Sequence, residues 1–102
     1  MAVSAFVIDP AHPCLAGHFP GNPVVPGVVI VDRVLAVIEA AHGTLPALQL
    51  PQVKFVRPLY PGQVAHIDIQ PVPREQGRRW RVRVSRDDEV LASLDIIADA
   101  AA

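Results

Sequence analysis

The chain has 102 residues, 51% hydrophobic and 19% charged, with a formal net charge of −1. That is the size of one domain with one core, and the balance is too apolar for a disordered segment. Near-neutral charge excludes a globally basic surface of the kind that binds nucleic acid or anionic lipid. The single cysteine, Cys14, excludes an internal disulfide and a cysteine-built zinc site, and it fits a reducing, cytoplasmic setting. No apolar run reaches the roughly 20 residues that span a bilayer, and residues 1–8 lack the basic start of a signal peptide. The expectation is one cytoplasmic domain over residues 1–102, with neither nucleic acid nor membrane as partner. The 11 prolines, about twice the ordinary frequency, need a placement.

Val3 to Ile8 reads as a short strand ended by Asp9-Pro10, because proline lacks a donor and biases its predecessor away from helix. From Pro10 to Pro26 five prolines and the glycines Gly17 and Gly21 leave no room for a regular element. This loop carries His12, Cys14, His18 and Asn22, and long structureless loops in small domains are usually functional. Val28 to His42 is then an apolar run interrupted only by Asp32, Arg33 and Glu39. Its length, its Ala-rich second half and the stop at Gly43 predict a helix, and its nearly all-round apolar character predicts a buried one. Four strands follow, over Leu48 to Val56, Gln63 to Pro71, Arg79 to Ser85 and Val90 to Ala98. Pro61-Gly62, Glu75 to Arg78 and Asp87-Asp88 mark the turns between them. Pro51 predicts an edge strand or a bulge. So few elements resolve most simply as an antiparallel sheet curled around one helix.

The segment richest in chemistry runs Gly17-His18-Phe19-Pro20-Gly21-Asn22-Pro23-Val24-Val25-Pro26-Gly27-Val28-Val29-Ile30-Val31-Asp32. It closely resembles the 3-hydroxyacyl-[acyl-carrier-protein] dehydratases of the FabA/FabZ type. Their signature is His-Phe-x-Gly-x-Pro, then Pro-Gly-Val, then an acid fourteen positions after the histidine. The resemblance implies an α+β hot dog fold: a sheet of about five antiparallel strands wrapped around one long, buried central helix. It also implies a lyase that removes water from (3R)-3-hydroxyacyl thioesters without cofactor or metal. His18 would be the base at the α-carbon and Asp32 the acid at the β-hydroxyl. The Gly27 N–H would hold the thioester carbonyl. Phe19, Pro20, Gly21, Val24, Pro26 and Val28 would line the acyl site, with Leu59 and Tyr60 as further candidates. The implied partner is acyl carrier protein bearing a phosphopantetheine arm, and the implied assembly is a homodimer, or a higher oligomer, whose sites are shared between subunits.

Elementary chemistry agrees with each role. A thioester α-proton needs a base titrating near neutrality and a donor for the developing enolate. Histidine supplies the first, and a helix start at Pro26-Gly27, with unpaired N–H groups, supplies the second. Hydroxide leaves only when protonated, and an aspartic acid set in an apolar helix is expected to be desolvated and held protonated. Adjacent helix residues point about 100° apart, so Asp32 is expected to face the site and Arg33 to face outward or onto a partner chain. Arg33, Arg57, Arg79, Arg81 and Arg83 are candidates for docking an acidic carrier. Arg79, Arg81 and Arg83, however, also fit the solvated face of a strand. His12, His42 and His66 read as ordinary polar residues, and no metal site is expected.

Two positions depart from the family pattern. The acid is Asp rather than the Glu of the single-function branch, and Ala36 stands where a glutamine is common. Two other functions stay open: a hot dog acyl thioesterase, and a non-catalytic partner subunit of a dehydratase complex.

Overall fold

The computed structural model describes residues 2–11, 24–45 and 47–99. Its elements are β1 (Ala2–Val7), α1 (Gly27–His42), β2 (Leu48–Phe55), β3 (Val64–Val72), β4 (Arg78–Arg86) and β5 (Glu89–Ala98). All five strands join one antiparallel sheet in the order β1-β3-β4-β5-β2. This is the hot dog arrangement that the sequence resemblance implies, one sheet with one helix against it.

The sheet forms because its strands alternate. Ala65, Ile67 and Ile69 of β3, Trp80, Val82 and Val84 of β4, and Leu94, Ile96 and Ala98 of β5 are all buried. They meet in register, Ile67 opposite Val84 and Val82 opposite Leu94, and line the inner face. Ile30, Val34 and Ile38, spaced one helical turn apart, bring α1 down on that face in the same core cluster. Tight turns close the β3–β4 and β4–β5 hairpins, with Gly77 at φ 70° and Asp87 at φ 48° in the left-handed region that glycine and aspartate tolerate.

Pro51 behaves as its chemistry requires. It lies in β2, an edge strand whose pairing with β5 slips between Gln49 and Gln52, so no interior ladder position loses a donor. Pro71, inside β3, faces Trp80 of β4 on one side, while the pairing of β1 with β3 reaches no further than Ile69.

The helix departs from expectation in one respect. Its apolar residues run almost all the way round, which predicts burial on every side. The protomer buries only the Ile30, Val34 and Ile38 stripe and leaves Val28, Asp32, Arg33, Ala36 and Glu39 exposed. The physical reason is geometric: a single sheet covers one side of a helix, and the described residues form one sheet. Val28 is 68% exposed, the most open of the large apolar side chains on this face.

Truncating the buried stripe should be costly and truncating the open face should not. Ile38→Ala is expected to destabilise the fold by about 2–5 kcal/mol and Glu39→Ala by less than about 0.5 kcal/mol. Urea unfolding of the two variants beside the parent chain measures both.

Candidate active site

The N-terminus of α1 is the chemically distinctive place in the described chain. Pro26 occupies the N-cap with extended backbone (φ −60°, ψ 142°), and no side chain caps the helix or places a carboxylate in its first turn. Pro26 O accepts from Val29 N at 3.0 Å and from Ile30 N at 3.4 Å. Among the described residues the Gly27 and Val28 N–H groups have no acceptor. Unpaired donors at the positive end of a helix dipole attract a developing negative charge on oxygen.

Gly27 lies in the wall of an apolar cavity of about 560 Å³ formed by 24–27, Ile30 and 55–59. Two backbone contacts fix its walls. Val25 N donates to Leu59 O at 2.9 Å, and Val56 N and Arg57 N both donate to Leu91 O, at 2.7 and 3.2 Å. The cavity is therefore built from the segment leading into α1 and the segment leaving β2, clamped by hydrogen bonds between distant parts of the chain. Gly27 leaves room here for the Phe55 ring. A Cβ on it would lie 2.7 Å from Phe55 Cζ and 2.9 Å from Cε2.

Of the residues singled out from sequence, Gly27, Val24 and Pro26 meet in the cavity wall, as does Leu59. Val28 and Tyr60 lie outside it, Val28 on the open face of the helix. His18, Phe19, Pro20 and Gly21 lie outside the described residues, as do His12 and Cys14. Asp32 is exposed and has no hydrogen-bond or ion-pair partner among the described residues. It lies five positions beyond Gly27, about 140° further round the helix, and does not line the cavity. The apolar enclosure expected around this carboxyl group is not provided by the described part of its own protomer. Ala36, in place of the family glutamine, is on the same open face.

The arginines divide. Arg57 is the charged member of the cavity wall and pairs with Glu89 at 3.2 Å. Arg33 is exposed on α1. Arg79, Arg81 and Arg83 alternate with Trp80, Val82 and Val84, so they point to the outer face of the sheet, away from α1. There they line a separate polar hollow of about 370 Å³ with Asp68, Ser93 and Asp95. Arg79 binds Asp95 through two hydrogen bonds of 2.8 and 2.6 Å.

His66 is exposed on that outer face, as its alternation with Ile67 and Ile69 predicts. His42 does more than end the helix. Arg78 Nη1 donates to its Nδ1 at 2.7 Å, and the ring lies 5.4 Å from that of Trp80. An arginine can only donate, so Nδ1 is the acceptor in this contact. Among the described residues no group of three His, Cys, Asp or Glu side chains is arranged to hold a metal ion. No helix of the described chain is long and apolar enough to cross a membrane.

Sequence reading missed Val25, Ile30, Phe55, Val56 and Pro58 as cavity residues. Phe55 ends a strand and fits the strand pattern, so nothing local marks it. Only the fold brings it to Gly27.

A family model described as ApeI-like, ApeI dehydratase, matches residues 1–95. The 3-hydroxyacyl-[acyl-carrier-protein] dehydratase FabZ of Ehrlichia ruminantium is 30% identical over 92 residues, covering 80% of this chain and 63% of its own length. The FabZ of Roseiflexus sp. (strain RS-1) is 30% identical over 82 residues, covering 68% of this chain and 54% of its own length. The chain thus spans little more than half the length of such relatives. Among solved structures, the dehydratase heterocomplex ApeI:P from Xenorhabdus doucetiae aligns with a TM-score of 0.73 at 24% identity, over 95% of this chain and 85% of that one. A Thermus thermophilus thioesterase complexed with coenzyme A and zinc aligns with a TM-score of 0.67 at 14% identity, over 95% and 83% of the two chains. At these identities the structural likeness speaks for the fold alone.

The outer-face ion pair gives a pH signature separate from any chemistry. The hydrogen bonds from Arg79 hold the Asp95 carboxyl below its ordinary value. Its folded-state value is therefore lower than its unfolded one. The stabilisation is complete above the ordinary carboxylate range of about 4 and disappears as pH falls through the lowered folded value. Acid titration of stability should show a steeper loss below about pH 4 in the parent chain than in Asp95→Asn, measured by urea midpoints across that range.

Proposed function

The chain belongs to the ApeI-like dehydratase family, and from that membership we propose that it dehydrates (3R)-3-hydroxyacyl thioesters on acyl carrier protein to trans-2-enoyl thioesters. The observation that carries this reading is the Gly27 N–H at the start of α1, without an acceptor among the described residues, in the wall of an apolar cavity. A cavity of that kind suits an acyl chain, and donors at its rim suit a thioester carbonyl that becomes an enolate.

In the proposed reaction His18 removes the α-proton, and the C–H electron pair moves toward the carbonyl oxygen held at the helix start. That pair then forms the Cα=Cβ bond as the β-hydroxyl leaves. Asp32 gives its proton to the departing hydroxyl, so the product is water rather than hydroxide. His18 ends with one proton more and Asp32 with one fewer, and exchange with solvent resets both. No electron acceptor or cofactor enters the balance.

The site is read as shared between two copies of the chain. Within one protomer the cavity at Gly27 and the carboxyl of Asp32 occupy different sides of α1, and Asp32 stands beside the open apolar surface of Val28. A second copy against this face would enclose Asp32 together with Val28 and shield both from water. Arg57 at the cavity and Arg33 on the helix are then better placed to meet an acidic carrier than Arg79, Arg81 and Arg83, which point from the opposite face of the sheet. The setting is read as cytoplasmic fatty-acid, polyene or polyketide-like biosynthesis.

A second reading is a subunit that works only beside another chain of the fold. It draws on Ala36 at the family's glutamine position and on the heterocomplex formed by the Xenorhabdus relative. Incubation with 3-hydroxyacyl carrier protein, with products weighed by mass spectrometry, tests these readings together. Loss of water from the acyl group is expected. His18→Ala and Asp32→Ala should each lower the rate by about a hundred- to ten-thousandfold. Release of free carrier thiol would show a thioesterase instead, and turnover only after adding a second hot dog subunit would favour the partner reading.

A further inference from the structure

Phe55 differs from the rest of the cavity wall. It is the last residue of β2, its backbone fixed opposite Ala92 of β5, and the next two residues are tied to Leu91 O. Its ring is free by comparison, 50% exposed. The tip of that ring abuts the Cα of Gly27, within 2.7–3.2 Å of where a Cβ would stand, and that Cα is one bond from the N–H donor. By contrast Val25, Ile30 and Leu59 in the same wall are buried in the core. They cannot yield to a ligand without disturbing the fold. Phe55 turns about two side-chain torsions on a fixed strand end.

We infer that Phe55 is a specificity-determining residue of this site. Its ring is the wall against which the carbons nearest the thioester carbonyl pack, so it selects acyl groups that are slim beside the carbonyl and disfavours those branched there. This rests on the reading of Gly27 N–H as the carbonyl's donor. The geometry ties the two together: an acyl group whose oxygen reaches that N–H brings its first carbons to the edge of the Phe55 ring. By the same contact, a side chain at position 27 would have to displace the Phe55 ring.

The test uses two isomeric, non-hydroxylated probes, butyryl-pantetheine and isobutyryl-pantetheine thioesters, which differ only in branching next to the carbonyl. Their binding to the whole chain is measured by calorimetry, alone and in competition. The parent chain is expected to favour butyryl by about tenfold, the scale on which an apolar pocket discriminates one methyl group. Phe55→Ala should bring the two within about twofold of each other, and Phe55→Leu should fall between. Thermal unfolding of each variant confirms that it is folded, and Phe55→Leu carries the comparison if Phe55→Ala is not.

Equal binding of both isomers by the parent chain, binding of neither, or an unchanged preference in the variants would each overturn the inference. The proposed reaction is judged separately by water loss from 3-hydroxyacyl substrates. A chain that discriminates the probes but leaves those substrates unchanged retains the Phe55 wall and loses the dehydratase reading. One that dehydrates them but shows no Phe55-dependent preference does the reverse.

Discussion

Everything at the candidate site depends on how α1 is seated. Ile30, Val34 and Ile38 form a narrow stripe, and the inner face of the sheet is the only apolar surface among the described residues large enough to receive it. Fully burying such a side chain is worth roughly 1.5–3 kcal/mol, so the stripe fixes both the height and the rotation of the helix. That rotation turns the first turn of α1 toward the segment leaving β2, where Val25 N donates to Leu59 O. The donors at Gly27 and Val28 are therefore oriented by a packing contact that begins three residues later. A shift of one residue in the stripe would turn them by about 100°, away from the cavity.

The charged residues follow a different logic, and much of the apparent basic cluster is structural. Of the six arginines from Arg74 to Arg86, four hold specific partners: Arg74 with Asp99, Arg78 with His42, Arg79 with Asp95, and Arg86 with Pro58 O and Gln63. These contacts join the ends of β4 to α1, β5 and the loop before β3. Two of them bear on the site. Arg86 holds Pro58, a cavity residue, and Arg78 holds the end of α1 against β4. An arginine-rich strand in an otherwise near-neutral chain is thus explained to a large extent by cross-strand and helix-end bonding, with a general attraction for acidic partners a lesser requirement. Exposed pairs of this kind contribute little each; the bidentate, part-buried Arg79–Asp95 contact is the stronger geometry.

Local pattern made the elements legible. Alternation marked Arg79 to Ser85 as a strand and predicted which face each arginine takes, and Pro51 announced an edge strand with a slipped register. The start of α1 at Pro26-Gly27 followed from proline and glycine chemistry alone. What could not be read was anything decided by contacts distant in sequence. Phe55 and Gly27 are far apart along the chain, and nothing in either residue's neighbourhood signals the other. The Arg79–Asp95 pair is diagonal across two strands, so it depends on a register that the hairpin turn fixes. The motif with the densest chemistry, around His18, was legible only by resemblance, and it lies outside the described residues.

The open face of α1 belongs to the same helix whose apolar residues mark it for burial. Apolar residues all round a helix show that every side is meant to be covered, but composition does not say by what. Here the chain's own sheet covers one side and leaves Val28 and Ala36 exposed beside Asp32. A carboxyl group standing in water next to uncovered valine and alanine would be a poor arrangement for a monomer, because it satisfies neither residue type. In the proposed dimer a second chain would cover this surface, so that the apolar residues gain burial and the carboxyl is enclosed with them. In that proposal the all-round apolar helix, the exposed Asp32 and the single sheet of the described residues would share one cause. Among the described residues the sheet and the segment after β2 enclose the Gly27 end of α1, and Asp32, on another side of the same helix, stays open.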